Sequence, residues 1–250
     1  MDTLKRRIVG HTLYSAHLNE ERTVKVFLPP EYDEKKVYPI LYCHDGNEFF
    51  SHGRIATLAA ELITQGSLTP CLIAGIAVNH KYRTDDYALF GARNDAYARF
   101  VIEECIPLVE RNYTVHSDPN MRAMAGISLG AVVTLELLFE TATLFDHMIL
   151  FSGAFYDDVI TYATRIPNTR KISAMMIVGE QETAVETPAG TYNFLEANRE
   201  MKQLLEDKGI ILDYQEAEGT HIWGFWQKHI PEALRWLDQQ WQEHKRDRWD

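Results

Sequence analysis

The chain has 250 residues, 46% hydrophobic and 24% charged, which is enough apolar material for a substantial core. A formal net charge of −11 argues against nucleic acid as a partner, because phosphate-rich polymers are bound by clustered Lys and Arg. Cys43, Cys71 and Cys105 are odd in number and lack metal or redox spacing, and Met1 to Arg7 leads into no apolar run. Reduced thiols, a cytoplasmic location, no secretory signal and no membrane span are therefore expected.

No repeat or low-complexity linker interrupts the chain, so one domain over residues 1–250 is expected. From the N-terminus, Ile8 to Leu28 lacks an intervening helix and runs into Pro29-Pro30, the pattern of an antiparallel hairpin at a sheet edge, with Val24 to Leu28 as its apolar strand. Short apolar runs follow at Ile40 to Tyr42 and Leu72 to Val78. Tyr97, Val101, Cys105 and Leu108 then recur at helical spacing. Further strand-like runs lie at Arg122 to Ile127, Met148 to Phe151, Ala174 to Val178 and Ile211 to Tyr214. Helical stretches fall between them at Leu129 to Phe139 and around Leu195, Asn198, Met201 and Leu205. A last helix spans Gln227 to about Arg246, with Ile230, Leu234, Leu237 and Trp241 on one face, able to close the core or to offer a homodimer surface. Strands alternating with helices imply an α/β protein whose mostly parallel sheet is covered on both faces, with its site at the carboxyl ends of the strands.

One stretch carries chemistry directly. Gly126-Ile127-Ser128-Leu129-Gly130 fits G-x-S-x-G, for which the Gly and Ser content gives about 0.02 chance matches. It lies between a strand and a helix, as a nucleophile elbow requires, so Ser128 is the candidate nucleophile. A serine hydroxyl needs a base, usually a histidine held by a carboxylate, in the chain order Ser, acid, His. His221, in Gly219-Thr220-His221-Ile222-Trp223 after the last strand, fits the base. His147 precedes a strand, His229 and His244 fall within the final helix, and His44, His52, His80 and His116 precede Ser128. No pair of histidines has zinc-helix spacing, so neither a metal nor another cofactor is implied. Glu182, a few residues past the strand ending at Val178, is the first choice of acid, with Glu180 and Glu186 competing. For the oxyanion, the backbone N–H of Leu129 is one donor and that of Asn47, in the turn after Tyr42-Cys43-His44-Asp45-Gly46, is the other.

These motifs together resemble the α/β-hydrolase-fold esterase family that includes enterochelin esterases, S-formylglutathione hydrolase (esterase D) and the mycolyltransferases. The likeness runs from Val26-Phe27-Leu28-Pro29-Pro30 through Tyr42 to Gly46, Phe100 to Pro107, Ala125 to Gly130 and Phe151-Ser152-Gly153-Ala154-Phe155 to Gly219-Thr220-His221-Ile222-Trp223. It implies the same nucleophile, acid, base and oxyanion donors. Two departures stand out, Gly130-Ala131 where many members have Gly-Gly, and Cys43-His44 in place of an apolar pair.

The resemblance implies hydrolysis of a small-molecule carboxylic ester or lactone, with an enterochelin-type siderophore trilactone as one substrate. Such a triscatecholate is anionic, which makes Arg54, Arg83 and Arg93 candidate pocket cations. The alternatives are an acyltransferase or thioesterase on the same fold, or a catalytically silent binding protein.

Overall fold

A computed structural model of the chain describes residues 7–141, 143–167 and 171–247. The chain opens with β1 (Arg7–Ser15) and β2 (Glu20–Leu28), paired antiparallel from Arg7 against Leu28 to Ser15 against Glu20. β1 alternates exposed and half-buried residues, as an edge strand solvated on one face does, whereas Val24, Val26, Phe27 and Leu28 of β2 are buried.

The remaining main strands are β3 (Ile40–Cys43), β4 (Leu72–Ile76), β5 (Arg122–Ile127), β6 (His147–Phe151) and β7 (Ser173–Gly179). A small antiparallel hairpin follows, β8 (Val185–Thr187) with β9 (Gly190–Tyr192), and then β10 (Ile211–Ala217) closes the large sheet. That sheet has eight strands in the order β1-β2-β4-β3-β5-β6-β7-β10. From β4 to β10 the neighbours are parallel, and β2 runs antiparallel to β4. Each of the seven apolar runs read from the sequence overlaps one of these strands, and only the β8–β9 hairpin had no counterpart, being too short and polar to show a period.

The helices are α1 (Gly46–Ser51), α2 (Ile55–Thr64), α3 (Arg83–Tyr87), α4 (Asn94–Arg99), α5 (Ile106–Asn112), α6 (Leu129–Glu140), α7 (Asp157–Arg165), α8 (Phe194–Asp207) and α9 (Trp223–Asp247). A wider π turn at Phe100–Cys105 joins α4 to α5, and Tyr97, Val101 and Cys105 are all buried along this run. The helix α8 is started by the Asn193 side chain, which accepts from Glu196 N–H at 3.0 Å, and it buries Leu195, Asn198, Met201 and Leu205. Among the described residues no helix is long and apolar enough to cross a membrane.

Two apolar cores sandwich the sheet. Strand alternation sends Ile40 and Tyr42 of β3 to one, under α4 to α8, and Leu41 and Cys43 to the other, under α2 and α9. Ile230, Leu234, Leu237 and Trp241 are buried in the second core, so that face of α9 closes the protein itself. Helix α9 begins four residues before the expected Gln227. Trp223 packs edge-on against Phe49, with ring centroids 5.5 Å apart, and the Trp226 indole is buried, so tertiary packing sets the first turn.

The chain leaves β3 toward β4 on one side and returns across the sheet to β5 on the other. The carboxyl ends of β3 and β5 therefore flank the switch point where a crevice opens in sheets of this kind.

Candidate active site

Ser128 stands between β5 and α6 at φ 57, ψ −119, a strained conformation for a residue with a side chain. Its backbone is pinned from both ends, Ser128 N–H donating to Phe151 O at 3.0 Å and Ala154 N–H donating to Ser128 O at 3.1 Å. Gly126 is a steric necessity, and Gly130 is closely packed. A Cβ on Gly126 would lie 1.9 Å from Gly130 O, and one on Gly130 would lie 3.2 Å from an Asp45 carboxylate oxygen. Leu129 opens α6, so its N–H has no acceptor within the helix and faces the end that carries partial positive charge.

The loop after β3 meets the same point. His44 N–H donates to Ala125 O at 3.0 Å, and Asp45 takes the left-handed conformation at φ 51 to turn the chain into α1. Gly46 must be glycine for this turn to fit, because a Cβ there would come within 2.1 Å of Gly75 C. Glu48 and Phe49 N–H both donate to Asp45 O, and Asn47 occupies the second position of the short helix.

Arg83 fastens the loop. Its Nε and Nη2 each reach one Asp45 carboxylate oxygen at 2.7 Å, and Nη2 also donates to Ile127 O at 3.3 Å, tying the loop to the strand that ends at the serine. Beneath, Asp45 N–H donates to the Tyr87 hydroxyl at 3.1 Å, and His44 Nδ1 lies 2.8 Å from the Tyr97 hydroxyl. Full burial pushes the His44 imidazole down to about 3, so it is neutral and serves as packing within this aromatic nest.

Across the crevice, His221 lies two residues before α9 and lines a cavity of about 420 Å³ together with Ser128, Asp45 and Arg83. Its Nδ1 is 2.7 Å from Glu182 Oε2. Since a carboxylate only accepts, Nδ1 is the protonated nitrogen of the neutral ring, and it is then Nε2 that offers a lone pair. Glu182 is fully buried, and its Oε1 accepts from Ser152 Oγ at 2.7 Å and from Gly179 N–H at 2.9 Å. The Trp226 indole N–H in turn donates to Ser152 Oγ at 2.9 Å. Glu180 is exposed, and Glu186, exposed on β8, accepts from Thr191 Oγ1 instead. Of the three carboxylates considered from the sequence, Glu182 is the one bonded to His221.

Of the five residues read as catalytic or oxyanion groups, Ser128 and His221 share one cavity and Glu182 sits behind His221. Leu129 lines a second, larger cavity, whereas Asn47 lines a separate depression with Thr23, Asn79 and Lys81. Of the three arginines expected near the pocket, Arg83 lines the Ser128 cavity and Arg54 and Arg93 do not. Arg54 is exposed at the head of α2, Arg93 pairs with Glu20 and Asp86 at 3.0 Å, and Arg83 is taken up by Asp45. Acidic side chains claim Arg83 and Arg93, and Arg54 does not line the cavity that holds Ser128. Ser152 and Trp226 were not read as site residues, since their parts depend on a contact between segments 74 positions apart.

Residues 15–237 match the family described as Putative esterase. The chain belongs to that esterase family. It is 32% identical to the uncharacterized protein YjcH of Bacillus subtilis (strain 168), over 89% of this chain and 93% of the relative. Among solved structures, a ferulic acid esterase superposes with a TM-score of 0.80 at 19% identity, covering 94% of this chain and 99% of that one. The enterobactin esterase of Shigella flexneri with enterobactin gives 0.81 at 16% identity, over 93% of this chain and 59% of that one. The fold is that of the α/β-hydrolases, and the protein is a carboxylic ester hydrolase.

Proposed function

We propose that the chain hydrolyses carboxylic esters through an acyl-enzyme on Ser128, with His221 as general base and acid and Glu182 as the orienting carboxylate. The observation that carries this reading is the 2.7 Å contact between His221 Nδ1 and the buried Glu182, with Ser128 in the same cavity wall as His221. Ser128 Oγ adds to the ester carbonyl carbon while its proton passes to His221 Nε2. The N–H groups of Leu129 and of Asn47, which lies in the chain between Asp45 and Glu48 of the Ser128 cavity wall, are assigned to the developing oxyanion. His221 then protonates the departing alcohol, leaving the acyl group on Ser128. Water attacks the acyl-enzyme, gives a proton to His221, and the acid departs as Ser128 regains its hydrogen.

The preferred substrate class is a small-molecule ester. A siderophore lactone is a second reading, suggested by the enterobactin esterase of Shigella flexneri, but the engagement of Arg83 and Arg93 by carboxylates gives it less support. We place the protein in the cytoplasm, a setting that suits its three buried free thiols.

A fluorophosphonate probe should label Ser128, and Ser128→Ala should lower kcat/KM on a p-nitrophenyl ester by about 10³-fold or more. Full activity in that variant would exclude the serine mechanism. A silent binding protein would neither label nor turn over, and comparison of an oxygen ester with its thioester separates esterase from thioesterase.

A further inference from the structure

The cavity of about 770 Å³ beside the candidate site has a charge and a chemistry of its own. It touches the site twice, through Leu129 next to the serine and through Phe194, whose ring lies 4.4 Å from that of His221. Outward from Phe194 the aromatic wall continues, Tyr156 meeting it edge-on at 6.0 Å and stacking on Tyr192 at 4.1 Å and 25°. Four carboxylates, Asp157, Asp158, Glu196 and Glu200, share the lining with neutral residues such as Thr187 and Asn193, and among the described residues no Lys or Arg lines it. The neighbouring cations are already engaged. Arg83 is bound at two points by Asp45, and Arg199 is bonded to Glu216 at 2.7 Å and lies 3.6 Å from Glu196. Asp157 and Glu200 form no salt bridge among the described residues.

We infer that this cavity receives the non-scissile part of the ester and selects for a positively charged group there, of the ammonium type, against an anionic one. The inference rests on the esterase reading above. The outer faces of the tyrosine pair attract a poorly hydrated cation, and the carboxylates of Asp157 and Glu200 beside them add to that attraction. An anion entering the same space would meet like charge with no basic residue to offset it. The position follows from Leu129 and Phe194, which put the cavity within one substrate's reach of the serine.

The test is a matched set of esters that differ only in the charge of one half, a trimethylammonium, neutral or carboxylate group placed first on the acyl side and then on the alcohol side. In one of the two series kcat/KM should favour the cationic over the anionic ester by about tenfold or more at low salt, and the ratio should shrink at high salt. In the double variant Asp157→Asn/Glu200→Gln it should fall toward unity, and as a ratio within one preparation it is insensitive to general loss of activity. Equal use of both charges in both series, or a ratio unchanged by the double variant, would overturn the inference. Turnover of the neutral ester reports on the esterase reading alone. The Ser128→Ala protein gives an independent measurement, because by calorimetry it should bind the trimethylammonium ester more tightly than the carboxylate one. The reverse order, or no difference, counts against the cavity whatever the fate of the mechanism.

Discussion

Ser152 donates its hydroxyl proton to Oε1 of Glu182 at 2.7 Å, the carboxylate oxygen that His221 does not use. Because the Trp226 indole already occupies a lone pair of Ser152 Oγ, the hydroxyl is left facing the carboxylate. Removing it leaves a buried charge short of one donor and an indole N–H without an acceptor. Hydrogen bonds to charged groups contribute about 1.5–3 kcal/mol, so Ser152→Ala should lose about 2 kcal/mol of stability. At this chain length that is a fall of about 4–8 °C in Tm, and kcat/KM should fall with it. Thermal unfolding unchanged within a degree would show that the hydroxyl does not support Glu182.

The choice among the acids is open to a direct comparison. Glu182→Gln preserves shape but offers His221 an amide, which can stabilise neither the imidazolium nor the required tautomer, and kcat/KM should drop by about 10²–10⁴-fold. Glu180→Gln and Glu186→Gln change exposed side chains and should stay within about twofold of the parent. A large loss in either of these, with Glu182→Gln unaffected, would transfer the role.

Arg83 and Asp45 form a bidentate pair in which the carboxylate is almost wholly buried while a quarter of the guanidinium side chain meets solvent. Arg83→Met should strand the Asp45 charge, and after discounting for that exposure the cost is about 3 kcal/mol. Adding Asp45→Asn removes the stranded charge, so the double variant should be destabilised by less than the sum of the single ones. Additive losses in chemical denaturation would mean that the two side chains are not coupled.

Glu136 on α6 offers a pH test away from the serine. Burial pushes its carboxyl up to about 7, helped by Glu140 and Asp95 and opposed by the hydrogen bond from Asn94 Nδ2 at 2.8 Å. The folded state thus holds this proton more tightly than the unfolded chain, where the ordinary value is 4.5. Its contribution to stability is complete below pH 4.5 and is lost as pH rises to about 7, with an upper limit of about 3 kcal/mol. Glu136→Gln should therefore gain on the parent protein between pH 5 and about 7.5, measured by urea unfolding at several pH values. Parallel curves for the two proteins would refute the assignment.

Much of this architecture is legible in the sequence alone. The apolar runs of three to seven residues could be read as strands because a parallel sheet covered on both faces needs apolar side chains on both sides. Gly126, Ser128 and Gly130 could be read because a strand-to-helix turn this tight admits only small residues, a local requirement written in five consecutive positions. His221 followed from chain order together with its place in the loop between the last strand and the final helix. The β8–β9 hairpin was not legible, since three-residue polar strands carry no period, and the early start of α9 was hidden because Trp223 and Trp226 are held by partners far away in sequence.

The sequence by itself determined the fold class, through the alternation of apolar periods, and singled out the nucleophile motif and a candidate histidine, through a five-residue pattern and the order of segments along the chain. Only the tertiary structure decided which of three glutamates meets His221, that Ser152 and Trp226 stand behind it, and that Asp45 rather than a substrate holds Arg83. Hydrogen bonds and ion pairs of that kind are set by distances of about 3 Å between distant segments, and a one-dimensional pattern does not contain those distances.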